Sequence, residues 1–137
     1  MKTWTLSTCL ARTATDLQKA IRMEAADNDG FARCCTCGHY HQWQTMDAGH
    51  YVGGRSATVV LEESGIHPQC KECNLYKHGN QEAYQRWMLT HYGQAEIDRL
   101  LALRSTLRQW TREELLELRI AYKDRIAVQK TRLEGAE

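Results

Sequence analysis

The chain has almost no proline, with Pro68 as its single copy. It also has no internal repeat and no low-complexity tract. At 137 residues it therefore reads as one domain with a helical extension. No apolar run is long enough to span a membrane. The amino-terminal stretch MKTWTLSTCLA turns polar too soon for a signal peptide, so the expected location is the cytosol. There is no basic excess either. Lys and Arg number 18 against 17 Asp and Glu, so any nucleic-acid surface must come from local segregation of charge.

What the chain does have is cysteine, six in all. In a cytosolic protein that count points away from a disulfide framework and towards metal or redox use. Cys34 with Cys37, and Cys70 with Cys73, form two C-x-x-C units. Two intervening residues let both thiolates of a unit face one ion, and two such knuckles complete the tetrahedral shell that zinc prefers. The alternatives are a redox C-x-x-C or unrelated buried thiols, but a thioredoxin-like site needs a βαβ setting that is missing here. Cys35 and Cys9 read as bystanders. Four cysteine ligands leave no open coordination position, so this zinc is scaffold and chemistry must come from elsewhere.

Hydrophobic periodicity predicts a helix over TATDLQKAIRMEAADNDG, with Thr13 and Asp16 as a capping box and Leu17, Ala20, Ile21 and Ala25 near one face. From Cys34 to about Asn74 there is little helical period. Hairpins and knuckles are expected there, with Ala57–Leu61 (ATVVL) as a β-prone piece. Helices return beyond. Asn80 is the expected cap of QEAYQRWMLTHY and Gly93 its stop. Ile97, Leu100 and Leu101 make an apolar stripe in the next. Thr111 and Glu114 form a capping box before a final helix. Its stripe of Leu115, Leu118, Tyr122, Ile126, Gln129 and Leu133 suits either the domain's own core or a dimer contact.

Between the knuckles lies DAGHY, and the second knuckle runs into CNLYKHGN. This arrangement resembles the HNH, or ββα-metal, nuclease motif. His50 matches the histidine that ends the first strand, and Asn74 the residue that follows the second C-x-x-C. At the middle position, where the motif has a loop-bracing asparagine, this chain has Gly65. With their flanks, WQTMDAGHY, GIHPQCKECN, KHGNQEAYQR, YGQAEIDRL and RQWTREELLELRIAYK together resemble the NinG (Rap) family of phage recombination proteins, from about Cys34 to Lys130. The short lead before the first helix departs from the lysine-rich linker of other members.

That resemblance implies an α+β fold, with a small zinc-stabilised ββα-metal (HNH-like) core, an N-terminal helix and a helical C-terminal extension. The expected divisions are 1–30, 31–92 and 93–137. It implies a metal-dependent, structure-selective endonuclease acting on branched DNA such as Holliday junctions, as a homodimer in the cytoplasm of the bacterial host. Besides structural Zn²⁺ it implies catalytic Mg²⁺ or Mn²⁺. Two alternatives stand beside it, a less selective nickase on duplex DNA and a catalytically weak zinc-stabilised DNA-binding protein.

An unperturbed histidine, with a pKa of about 6.5, is mostly neutral at pH 7 and can take a proton from water, which suits His50 as general base. Asn74 and Asp47 offer hard oxygen donors to the divalent ion. Asp47 stands three residues before His50, and positions three apart in a regular strand face opposite ways. It joins the site only if Ala48-Gly49 forms a bulge; otherwise it reads as an Asp that bonds nearby backbone. His67 and His78 are second-tier candidates for metal or phosphate, and His67 can also simply brace the knuckle. Lys77, Asn80, Arg55, Arg86 and Lys71 are candidate DNA contacts, each also readable as a solvated surface group.

Overall fold

The computed structural model describes residues 3–53 and 56–135. Helix α1 (Leu6–Ala25) leads into a small hairpin of β1 (Phe31–Arg33) and β2 (Tyr40–Gln42). A second antiparallel hairpin joins β3 (Asp47–His50) to β4 (Ile66–Gln69) across a long loop. A wide helical turn, Glu72–Tyr76, follows at once, and then α2 (Gln81–His91), α3 (Gln94–Leu103) and α4 (Arg112–Glu134). The architecture is thus a small α+β fold, with two two-stranded sheets among the described residues.

Three apolar clusters hold these parts. Leu17, Ala48, Ile66 and Tyr122 join α1, the β3–β4 hairpin and α4. Val52 and Val59 of the long loop pack with Tyr84, Met88, Ile97 and Leu100 of α2 and α3. Ala32 and Met46 surround the buried cysteines. The Leu115-to-Leu133 stripe is the turned-in face of α4, with Leu115 and Tyr122 fully buried. It packs on α1 of the same chain, and ion pairs reinforce the contact: Arg119 to Asp16 at 3.2 Å and Arg125 to Glu24 at 2.7 Å. Arg132 also donates to the carbonyls of Met23 and Ala26, satisfying backbone acceptors at the end of α1.

Several local expectations hold. The Thr111–Glu114 capping box is present in both directions, and Gly93 ends α2 at a φ of 89°. Others need correction. Helix α1 begins a full two turns before Thr13, at Leu6, with the Thr5 side chain accepting from the Thr8 N–H. Thr13 is buried inside the helix and its hydroxyl bonds back to the Cys9 carbonyl, while Asp16 serves α4 instead. Ala57–Leu61 forms turns rather than a strand, because Val59 and Val60 are buried by side-chain packing without a strand partner. Asn80 occupies the cap position of α2 but in a left-handed conformation with no capping bond; its amide reaches the Cys73 sulfur at 3.6 Å.

Candidate functional site

The two knuckles meet as their spacing requires. The Sγ atoms of Cys34, Cys37, Cys70 and Cys73 all lie within 4.8 Å of one another. The Cys37 and Cys70 sulfurs are 3.8 Å apart, and a tetrahedron of about 2.3 Å Zn–S bonds has edges of about 3.8 Å. Donor chemistry and spacing therefore fit zinc. N–H groups surround the sulfurs as well: Cys73 N–H reaches Cys70 Sγ at 3.5 Å and the Asn80 amide reaches Cys73 Sγ. Burial alone would raise the Cys34 thiol, but hydrogen bonds from the Cys37, Cys70 and Thr36 backbones and the Thr36 hydroxyl bring it down to about 6. Cys35 faces away into the α2–α3 cluster, where burial pushes its thiol up and keeps it a neutral bystander.

The second knuckle fixes the wide turn behind it, where Lys77 N–H bonds the Glu72 carbonyl at 2.9 Å. This turn carries Asn74 back over the start of β3. The Asn74 amide donates to Asp47 Oδ2 at 3.0 Å, and Lys71 Nζ reaches Asp47 Oδ1 at 2.5 Å. Burial opposes the Asp47 charge, yet those two bonds and the charges of Lys71 and Arg22 hold its carboxyl below the ordinary range. Gln18, Arg22 and Gln44 complete a polar depression around the pair.

His50 stands at the other end of β3. The strand keeps unbroken register with β4, Asp47 opposite Gln69, Ala48 opposite Pro68, Gly49 opposite His67 and His50 opposite Ile66, with no bulge at Ala48-Gly49. Alternation then points Asp47 and His50 to opposite faces, roughly 10 Å apart along the strand. The structure thus joins Asp47 to Asn74 and leaves His50 outside that pair. Gly49 is what permits this regular strand. A Cβ there would overlap the Gln69 side chain, which crosses the strand to bond the Gly79 carbonyl at 2.8 Å and the Thr36 hydroxyl at 3.1 Å.

The His50 ring has a defined orientation. Its Nε2 lies 3.2 Å from the Val60 carbonyl oxygen. A carbonyl only accepts, so Nε2 carries the proton and Nδ1 is the basic nitrogen of the ring. Val60 is itself held, because its loop is anchored by Tyr51 N–H to the Gly65 carbonyl, Trp110 Nε1 to the Ala57 carbonyl, and Ser64 to Glu96.

His67, a second-tier candidate for metal or phosphate, is buried and is not one of the four clustered ligands, although it lines the same pocket as Cys34 and Cys37. Its Nδ1 lies 3.1 Å from the Tyr84 hydroxyl and its Nε2 lies 3.1 Å from the Tyr92 hydroxyl. Burial, with His91 nearby, lowers its pKa to about 4, so it works as a neutral brace. Lys77, His78 and Arg86 are exposed, and Arg55 lies outside the described residues. Sequence reading did not single out Tyr84, Val60 or Gln69. Only the glycine at position 65 hinted that a brace must come from elsewhere.

A family model described as Bacteriophage Lambda NinG protein matches residues 8–132. No curated protein and no solved structure matches the chain. Among the described residues, no helix is long and apolar enough to cross a membrane.

Proposed function

This chain belongs to the NinG family of bacteriophage proteins, and from that premise we propose that it is a metal-dependent, structure-selective DNA endonuclease acting on branched DNA during phage recombination. The observation that carries the reading is the His50 ring, with its Nε2–H directed at the Val60 carbonyl and Nδ1 as its basic nitrogen. A general base needs this combination of fixed tautomer and positioned lone pair. Support also comes from the chain order, a β3–β4 hairpin followed directly by a helical turn bearing Asn74, which is the ββα order of HNH nucleases.

Asp47 and Asn74 would hold the divalent ion. A carboxylate and a carboxamide oxygen suit Mg²⁺ or Mn²⁺, which completes its shell with water and substrate phosphate, once Lys71 releases the carboxylate. Bound there, the ion would supply charge stabilisation to the phosphate and its leaving oxygen. His50 faces away from the Asp47–Asn74 pair across β3, so to take the proton of a water attacking the same phosphate it needs the start of β3 to bend at Ala48-Gly49 when DNA binds. Two coordinated cuts at a four-way junction favour a two-fold homodimer.

A second reading rests on the separation of Asp47 from His50 and on the Lys71–Asp47 ion pair. In it the protein is a zinc-stabilised DNA-binding protein with little catalytic power. One assay distinguishes them. The zinc-loaded protein is incubated with a four-way junction, a matched duplex and single strands, with and without Mg²⁺ or Mn²⁺. Metal-dependent cuts confined to the junction are expected. General nicking would indicate a duplex nuclease, and binding without cutting would leave the second reading.

A further inference from the structure

Position 65 has no side chain with which to brace the long loop, and the space beside it is tight. A Cβ at Gly65 would meet Leu100 Cδ1 at 3.2 Å, tight against the α3 core. Yet the loop leaves β3 and returns to β4 at a well-held mouth. Gly49, immediately before His50, and Gly65, immediately before Ile66, flank the closing His50–Ile66 pair. Both their carbonyls face the Tyr84 hydroxyl of α2, at 2.7 Å for Gly49 and 3.4 Å for Gly65.

Tyr84 is fully buried, packed against Tyr51 and Trp87, and its hydroxyl has a single proton to give. The short contact directs that proton to the Gly49 carbonyl, with the Gly65 carbonyl sharing it at longer range. The Tyr84 oxygen then accepts from His67 Nδ1–H, and His67 Nε2 accepts from the Tyr92 hydroxyl. This one set of proton positions satisfies every member of the relay, and it requires His67 to be neutral.

We propose that Tyr84, held by His67 and Tyr92, is the positioning residue for His50, bracing the mouth of the loop from α2 in place of the loop asparagine that position 65 lacks. The proposal rests on the reading of His50 as base. Tyr84 touches no reacting atom; it fixes the peptide that precedes His50 and, with the Tyr51 N–H bond to the Gly65 carbonyl, the return of the loop that carries Val60.

The test is Tyr84→Phe in the zinc-loaded full chain, which removes one oxygen and keeps the ring. Junction-cleavage kcat should fall roughly tenfold, as for other groups that orient a functional side chain through one intermediary. KM for the junction and zinc content should stay unchanged. Independently of activity, long-range ¹H–¹⁵N spectra should show His50 as one Nε2–H tautomer in the wild type and as an averaged ring in Tyr84→Phe. Identical His50 signals in both proteins would overturn the proposal, as would a parallel loss of zinc and DNA affinity. If the wild type cuts no DNA the nuclease reading fails, and the His50 spectra alone decide the brace. Should Tyr84→Phe not fold, Tyr92→Phe at the exposed end of the relay should give the same His50 averaging in weaker form, and unchanged signals in that folded variant would overturn the idea.

Discussion

The Asn74 amide donates to the Asp47 carboxylate at 3.0 Å, joining a helical turn to the start of a strand 27 residues away. Lys71 completes the arrangement by occupying the other oxygen of the same carboxylate. Metal and ammonium therefore compete for one group. Lys71→Ala should tighten Mn²⁺ binding measured without DNA, and Asp47→Asn should weaken it by tenfold or more, as loss of a charged ligand does. Equal Mn²⁺ affinity in all three proteins would remove Asp47 from metal binding.

His50→Ala should lower junction cleavage by on the order of 10²-fold or more, the usual contribution of a positioned base. Zinc content and thermal unfolding should stay close to wild type, because the ring is only half-buried and lies outside the cysteine cluster. Undiminished cleavage by a folded His50→Ala protein would exclude the residue from the mechanism.

Elemental measurement on protein purified without chelator should find about one zinc per chain. Structural zinc contributes on the order of 10 kcal/mol in small metal-organised domains. Chelation, or Cys70→Ser, should therefore release the β1–β2 hairpin and the Glu72–Tyr76 turn, seen as loss of amide protection. A metal-free protein with native protection would refute the scaffold role.

Gly49→Ala tests the close approach of Gln69. The added methyl overlaps a side chain tied down at Gly79 and Thr36. Overpacking of this kind costs about 1–3 kcal/mol, and urea unfolding should show it. Gly53, with open space around its Cβ direction, is the control and should change little when replaced by Ala.

His67 gives a pH signature. Burial and His91 lower its pKa to about 4, against 6.5 for a free histidine. A depressed histidine is held neutral by the fold, so its contribution is complete above about 6.5 and lost as pH falls towards 4. The depression corresponds to on the order of 3 kcal/mol. Unfolding of wild type and His67→Gln should converge over that window, and zinc release on acidification cancels in the comparison because both proteins keep the four cysteines.

Much of the local order was legible in the chain itself. The Thr111–Glu114 capping box and the inward stripe of α4 depend on contacts three or four residues apart, which periodicity reports directly. The cysteine spacing carried the four-sulfur cluster because each knuckle is a local turn. The reading faltered where a residue's partner is distant. Thr13 and Asp16 have the spacing of a capping box, yet Thr13 bonds back along its own helix and Asp16 pairs with Arg119 across the α1–α4 contact. Val59 and Val60 have strand propensity, but among the described residues no strand pairs with them.

The sequence by itself determined the cluster of four cysteines, the helices and the candidate trio of His50, Asp47 and Asn74, since residue type and short spacing are enough for these. Only the tertiary structure decided how the trio is divided. Strand register through Gly49 set Asp47 and His50 on opposite faces, the turn after the second cysteine pair brought Asn74 to Asp47, and helix α2 delivered Tyr84 to the loop mouth. These are long-range packing outcomes, fixed by which buried side chains fit together across the core, and no local spacing encodes them.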